Sequence, residues 1–284
     1  MEELIIRILI FGTIVGGIWA LVASGFSLIF GVSRILNFAH GAAFITSAYV
    51  AIHLINLGLN LLSSMVIGIL ASGLIGVVVY LLTRPIRRNE IMVVIVTLAL
   101  ALLIQQFALI TFGDRGVSIT PILSGIVNIF NIKVTYIRIL SLITAILILG
   151  SLEFLISRTM IGKKICATSQ DSDAAMLIGI NVEKIYLFTI TLSSILAGIA
   201  GILYAQIFAI SPETSLRSLI YAFAIVILGG LGSVRGSIVG SFIVGYVLVA
   251  TISILGARWS EFVMLLTIIS ILILKPSGLF GVEK

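Results

Sequence analysis

RTMIGKKICATSQDSDAAMLIGINVEK, residues 158–184, is the longest polar run in a chain that is otherwise close to continuous hydrocarbon. Lys163, Lys164, Asp171 and Asp173 stand in it among small residues, Gly162, Ala167, Ala174, Ala175 and Gly179, at intervals that helical winding brings to one side. A chain that needed only to cross a bilayer would join its helices by a short turn. A mixed-charge helix between hydrophobic spans lies outside the membrane, and its small residues let it seat in a groove on a soluble partner. The stretch therefore reads as a coupling helix, through which something in the cytoplasm drives the membrane part.

Composition agrees with that frame. Of 284 residues, 60% are hydrophobic and 10% charged, more apolar surface than a soluble fold of this size can bury, so the expected class is an all-α, polytopic membrane protein. A transmembrane β-barrel is excluded, because its strands alternate polar and apolar residues whereas these runs are apolar on every face. The net charge of +6 sits in short loops, as the positive-inside rule expects, and points to no nucleic acid. Cys166 is the one cysteine, which leaves no intrachain disulfide and no multi-cysteine metal site; it reads as a small residue packed on the coupling helix. His40 and His53 are too isolated for zinc.

Apolar segments fall at about 4–30, 39–57, 61–83, 91–112, 138–156, 184–209, 218–234, 237–255 and 260–274. Several approach the ~20 residues of a spanning helix, while those around 218–255 are short and broken by glycine. The whole chain reads as a single transmembrane domain of eight to nine spans, with a cytoplasmic loop at 157–184 and an extracytoplasmic loop at 113–137. Arg84, Arg87 and Arg88 form the densest basic loop and Arg158, Lys163 and Lys164 the next, so both are placed inside. Arg34, Arg235, Lys275 and Lys284 then fall inside as well, the amino terminus outside and the carboxyl terminus inside. The final span is expected to end at Lys275–Pro276. The loop 113–137 is expected to carry a short interfacial helix and to offer a docking surface to a soluble partner.

Polar groups within the spans mark candidate sites. The first span ends in GVSRILNFAHG, 31–41, where Asn37 and His40 interrupt the apolar run. They face a pathway or gate, or they cap a helix joint at the cytoplasmic interface. Gln105 and Gln106 lie inside an apolar helix and need a partner, on a neighbouring helix or on a transported solute. In AIVILGGLGSVRGSIVGSFIVGY, 224–246, Gly229, Gly230 and Gly232 lead a glycine cluster expected to break a helix beside the route. No phosphate-cradling GxxxxGK[ST] occurs, so the chain has no ATPase site of that kind. Glu153, Glu213 and Glu261 all lie near span ends, which argues against an ion-coupled carrier, and no nucleophile–base pair suggests an enzyme.

Three stretches resemble one family. GGIWALVASGFSLIFGVSRILNFAHG, GKKICATSQDSDAAMLIGIN and AFAIVILGGLGSVRGSIVG are similar, in order and over nearly the whole chain, to the branched-chain (hydrophobic) amino-acid ABC permeases of the LivH type. The resemblance implies a prokaryotic plasma-membrane importer with a second, LivM-like permease subunit, two cytoplasmic ABC ATPases that bind the ATP, and an extracytoplasmic solute-binding protein. It implies that Gly162, Lys163, Ala167, Asp171, Ala174, Ala175 and Gly179 form the coupling helix, and that Asn37, Phe38, His40 and Gly41 match the family's first motif. Two departures remove charge: Ala42 and Ala43 follow HG where many relatives carry an acid, and Tyr221-Ala222-Phe223 stands where relatives often read Lys-Ala-Phe. The urea permeases share the architecture, so urea or a short amide is the alternative cargo, and an ion-driven secondary carrier the alternative class.

Overall fold

The computed structural model describes residues 2–275 and 278–280; Pro276 and Lys284, to which the sequence assigns the end of the last span and an inside charge, lie outside the described residues. Eleven α-helices and one β-hairpin follow in order: α1 Glu2–Ser33, α2 His40–Asn56, α3 Leu61–Thr83, α4 Glu90–Phe112, β1 Ile126–Ile129, β2 Ile132–Thr135, α5 Tyr136–Arg158, α6 Met160–Gln170, α7 Ser172–Leu177, α8 Val182–Ala205, α9 Thr214–Gly229, α10 Val234–Ile254 and α11 Ser260–Leu274. Seven helices among the described residues are long and apolar enough to cross a membrane. The shorter apolar α2 and α9, of 17 and 16 residues, complete the bundle. The chain is a polytopic helical membrane protein of the expected size.

Helix starts are set by polar caps at the bundle's two ends. The side chains of Asn60, Asn89, Asn181 and Ser233 accept from the Leu62, Met92, Lys184 and Gly236 amides at 3.0–3.1 Å, filling donors that no helical carbonyl reaches. Three of the four ion pairs among the described residues mark one end of the bundle. Glu183 at the start of α8 pairs with Arg87 at 2.7 Å and Arg84 at 3.5 Å, and Glu153 of α5 pairs with Arg235. We call this the basic side. The opposite end carries the 113–137 segment and is called the hairpin side.

That segment holds a hairpin where a short helix was expected. Ile126 pairs with Thr135 and Ile129 with Ile132 in antiparallel register, and the two connecting residues, Phe130 and Asn131, both have positive φ, 49° and 64°. Two left-handed residues make the tight turn that matches strand twist. Ile132 and Val134, alternate β-branched residues, point inward against Ile14, a period of two rather than 3.6. Val117 and Ile210 bridge the segment to the α8–α9 connection.

α1 is the axis of the bundle, buried without interruption from Gly16 to Ile29. Neighbours approach it and each other at backbone distance. A Cβ on Gly245 of α10 would stand 2.7 Å from the Gly16 Cα, and one on Gly201 of α8 would collide with the Phe44 carbonyl of α2. The glycine cluster 229–236 works the same way. α9 stops at Gly229, α10 starts at Val234, and Gly229 and Gly236 cross with no room for a side chain on either. Gly232 packs on Gly31, two residues from the end of α1, so the break falls at the basic end rather than deep between helices. Glycine here serves close approach of helices that hydrocarbon does not push together.

The joint that the sequence places at 31–41 is the deeper discontinuity. α1 leaves the bundle at Arg34, level with Tyr186 of α8, since both line one cleft. The chain then runs without helix over residues 34–39 and enters α2 at His40, which contacts Ser193 of α8. Seven helical residues separate Tyr186 from Ser193, so the segment returns about 10 Å into the bundle at 1.5 Å per residue. Unwound backbone at that depth must find partners: Phe38 N–H donates to Thr97 Oγ1 at 3.2 Å, Ala39 N–H to Asn37 Oδ1 at 3.1 Å and His40 N–H to the Asn37 carbonyl at 3.3 Å.

Gly201→Leu is expected to cost about 2 kcal/mol or more through overpacking, seen as a lowered melting temperature of the purified protein in detergent. Gly150→Leu, at a site with nothing within 4 Å of the added Cβ, should leave the melt unchanged.

Candidate functional site

The coupling stretch folds as two helices rather than one. Asp171 has an extended backbone, φ −153°, and its Oδ1 accepts from the Asp173 and Ala174 amides at 2.9 and 3.0 Å. It ends α6 and caps α7, a start signal legible in Asp-Ser-Asp-Ala-Ala. Thr159 caps α6 through Gly162 N–H at 3.1 Å. α7 closes with Gly179 in the left-handed region, φ +83°, its N–H donating to Met176 O and the Ile180 N–H to Ala175 O. That pair of bonds is a Schellman motif, for which glycine at this position is the natural residue.

The coupling residues divide by exposure. Gly162 is buried against the last carbonyls of α5, where a Cβ would collide with Leu155 O and Ile156 O, and Ala175 is buried in the core. Lys163, Asp171, Ala174 and Gly179 are exposed and Ala167 is half-buried. Cys166 is exposed too, not packed as expected, because it lies off the buried stripe of Gly162, Ile165 and Thr168. Beside the exposed set stand Leu177, 90% exposed, and Ile178, 74% exposed. This apolar tip, which sequence reasoning passed over for the charges, sits on a polar element at the basic side.

His40 is fully buried. Its Nε2 lies 2.9 Å from the Val22 carbonyl, and its Nδ1 3.3 Å from Ser193 Oγ, which itself donates to Gly25 O at 2.7 Å. The imidazole thus ties α1, α2 and α8 together. Gly41 lies against Ser215 O of α9, closer than any side chain allows. Asn37 is buried and has an unsatisfied Nδ2, and Phe38, half-buried, is held by α4 through Thr97.

Gln105 and Gln106 separate. Gln105 continues the bundle-facing stripe of Val93, Thr97, Ala101 and Ala108 on α4, and its Oε1 is buried without a partner; Gln106 is exposed on the outer face. Gly229, Gly230 and Gly232 stay together at the α9–α10 joint, apart from the glutamines. Ser24 and Ser27 of α1, Thr191 of α8 and Ser215 of α9 also carry buried hydroxyls without partners. Nothing in a single sequence distinguishes these from the many serines and threonines that bond back to their own helix, as Thr97 does to Val93 O.

The two departures from the family pattern lie inside the bundle. Ala42 and Ala43 are fully buried, where an acid would lose its hydration. Tyr221 is buried edge-on against Trp19, ring centroids 4.7 Å apart, in a cluster with Phe44 and Tyr204.

An unwound segment framed by unsatisfied polar groups, with a polar two-helix element beside it, is the anatomy of a solute permease. The family described as branched-chain amino acid transport system / permease component matches residues 8–272. The chain belongs to that family of ABC-type membrane permeases, as a LivH-type subunit. It is 25% identical over 96% of its length to the high-affinity branched-chain amino acid transport system permease protein LivH of Salmonella typhimurium, 95% of which is covered. It is 26% identical over 97% of its length to BraD of Pseudomonas aeruginosa, 96% covered, and 30% identical over 93% to a probable branched-chain amino acid transport permease protein LivH of Methanocaldococcus jannaschii, 88% covered. No solved structure matches it.

His40→Ala should remove the interhelical bond to Val22 O and empty a fully buried site, costing about 1–3 kcal/mol. The measurement is thermal melting of the purified protein; an unchanged melt would remove the clamp role.

Proposed function

We propose that this chain is one membrane subunit of an ATP-driven importer for branched-chain or other small apolar amino acids, its basic side facing the cytoplasm and its amino terminus outside. The observation that carries the reading is the family match over residues 8–272, joined to an element on the basic side built to meet a soluble partner. Cytoplasmic ATPase subunits bind ATP and dock on α6–α7. The apolar tip Leu177–Ile178 and the small residues Ala174 and Gly179 enter the ATPase groove, while Gly162 and Ala175 hold the element on the bundle. ATP-driven closure moves α6–α7 and with it the ends of α5 and α8, switching the route between its two openings. A second permease subunit completes the route. A solute-binding protein delivers cargo to the hairpin side, where Ile126 and Phe130 of the hairpin are exposed.

Solute passes along the unwound segment, where Asn37 Nδ2 offers a donor without a protein partner, and then meets Gln105 Oε1, an unpartnered acceptor about two turns along α4 from Thr97. An amide pair of this kind holds a polar head group briefly while apolar walls pass the side chain. His40 and Gly41 set the position of that segment, and the Gly229–Gly232 joint lets α9 pivot against α10 and α1.

Cells lacking their own leucine transporters, given this chain with its second permease, ATPase and binding-protein subunits, should take up labelled leucine, with isoleucine and valine competing. Uptake should vanish with an ATPase-dead subunit; uptake of urea alone would change the cargo, and indifference to the ATPase would overturn the coupling. Replacing both Leu177 and Ile178 by Asp should leave the protein inserted yet reduce solute-stimulated ATP hydrolysis at least tenfold. Gln105→Leu should reduce uptake several-fold, whereas Gln106→Leu should leave it at the wild-type rate.

A further inference from the structure

A cleft of about 310 Å³ opens on the basic side between the end of α1 and the α6–α7 joint, at the lower end of the size range of small-molecule sites. Arg34, Gln170, Asp171 and Ser172 supply its polar wall, and Val32 and Tyr186 its apolar one. Arg34 makes no ion pair among the described residues, with Asp171 or any other acid. Asp171 gives Oδ1 to the α7 cap, which leaves Oδ2 for the cleft. The Tyr186 ring is fixed from behind by the Arg87 guanidinium, 4.2 Å from its centroid, and Arg87 is held in turn by Glu183 at 2.7 Å.

Arg34 occupies its place against its backbone's preference. It sits at the end of α1 with φ +53°, its N–H donating to Phe30 O at 2.9 Å, a helix stop where glycine is favoured. A long cation kept in left-handed backbone is a local strain of the kind found at ligand sites. Its position also matters. The cleft has one wall on the coupling element and the other on the residue that opens the unwound segment.

We propose that this cleft binds a free zwitterionic α-amino acid, carboxylate on Arg34 and ammonium on Asp171, and that its occupancy slows transport. Two opposite, unpaired charges facing one small cavity are complementary to a ligand carrying both charges and no net charge, and less so to a simple anion or cation. Gln170 and Ser172 add an amide and a hydroxyl beside the head group, and Val32 and Tyr186 face its side chain. A bound amino acid links α6–α7 to residues 34–39 and opposes their relative movement, so the imported product inhibits its own entry. Only the identity of the ligand with the transported product rests on the importer reading.

The test uses the whole transporter, this chain with its second permease and ATPase subunits, in nanodiscs without binding protein. Labelled leucine should bind saturably. Leucinamide, which lacks the carboxylate, and 4-methylpentanoate, which lacks the ammonium, should fail to compete. Arg34→Gly suits the left-handed backbone and so keeps the fold; it should weaken binding at least tenfold and abolish the inhibition of ATP hydrolysis by added leucine. Equal binding in that variant, competition by either analogue, or no saturable binding because the ATPase fills the cleft would each overturn the proposal. External leucine uptake is measured separately: its absence would overturn the importer reading, whereas normal uptake with no leucine binding at the cleft would overturn this inference alone.

Discussion

The structure depends on helices meeting backbone to backbone inside hydrocarbon. Lipid offers no hydrophobic drive to bring apolar helices together, so contact must come from van der Waals packing at small residues and from hydrogen bonds between helices. Gly201 against Phe44, Gly245 against Gly16 and Gly229 against Gly236 supply the first. Ser47 Oγ donating to Gly198 O and Ser193 Oγ to Gly25 O, each at 2.7 Å, supply the second. Three of these five contacts join α1, α2 and α8 where they cross, and they hold the end of the unwound segment at a fixed depth.

Fixing that depth has a chemical consequence. Non-helical backbone that returns into a membrane bundle is tolerated only beside protein that satisfies it. The Asn37 side chain and the Thr97 hydroxyl perform that service for the Ala39 and Phe38 amides. The Asn37 amide nitrogen is left over, as are Gln105 Oε1 and the hydroxyls of Ser24, Ser27, Thr191 and Ser215. Polar atoms buried and unpaired in a lipid-embedded bundle are costly. α4, which carries Gln105, is only lightly buried, and a cavity of about 410 Å³ with an almost wholly apolar lining separates its hairpin-side half from α2 and α3. The helix bearing the unpaired amide is thus among the least tightly held in the bundle.

At the basic side the same chain is built for rigidity. Glu183 joins α8 to the α3–α4 loop through Arg84 and Arg87, and Arg87 lies between the rings of Tyr80 and Tyr186. Arg235 and Glu153 join α10 to α5. Exposed ion pairs add little stability singly, but these close each helix pair where the coupling element is attached.

Much of this was legible in the residues. Composition and the length of the apolar runs determined the class, since no other arrangement satisfies so many backbone groups in hydrocarbon. The polar run 158–184 announced an element outside the bundle, and the three motif stretches announced the family. The hairpin at 126–135 was missed because eight residues of alternation inside a long loop are a weak signal beside the helical periods around them. The split of the coupling stretch at Asp171 was readable as a cap but was outweighed by the helical spacing of its small residues. Only the tertiary structure decided that the break at membrane depth lies at 34–39 and not at the glycines of 229–236. Glycine marks both a chain that bends and helices that touch, and a sequence does not say which. Depth is likewise a property of neighbours: His40 lies inside the bundle because Val22 and Ser193 are there to meet it, and those partners are distant in the chain.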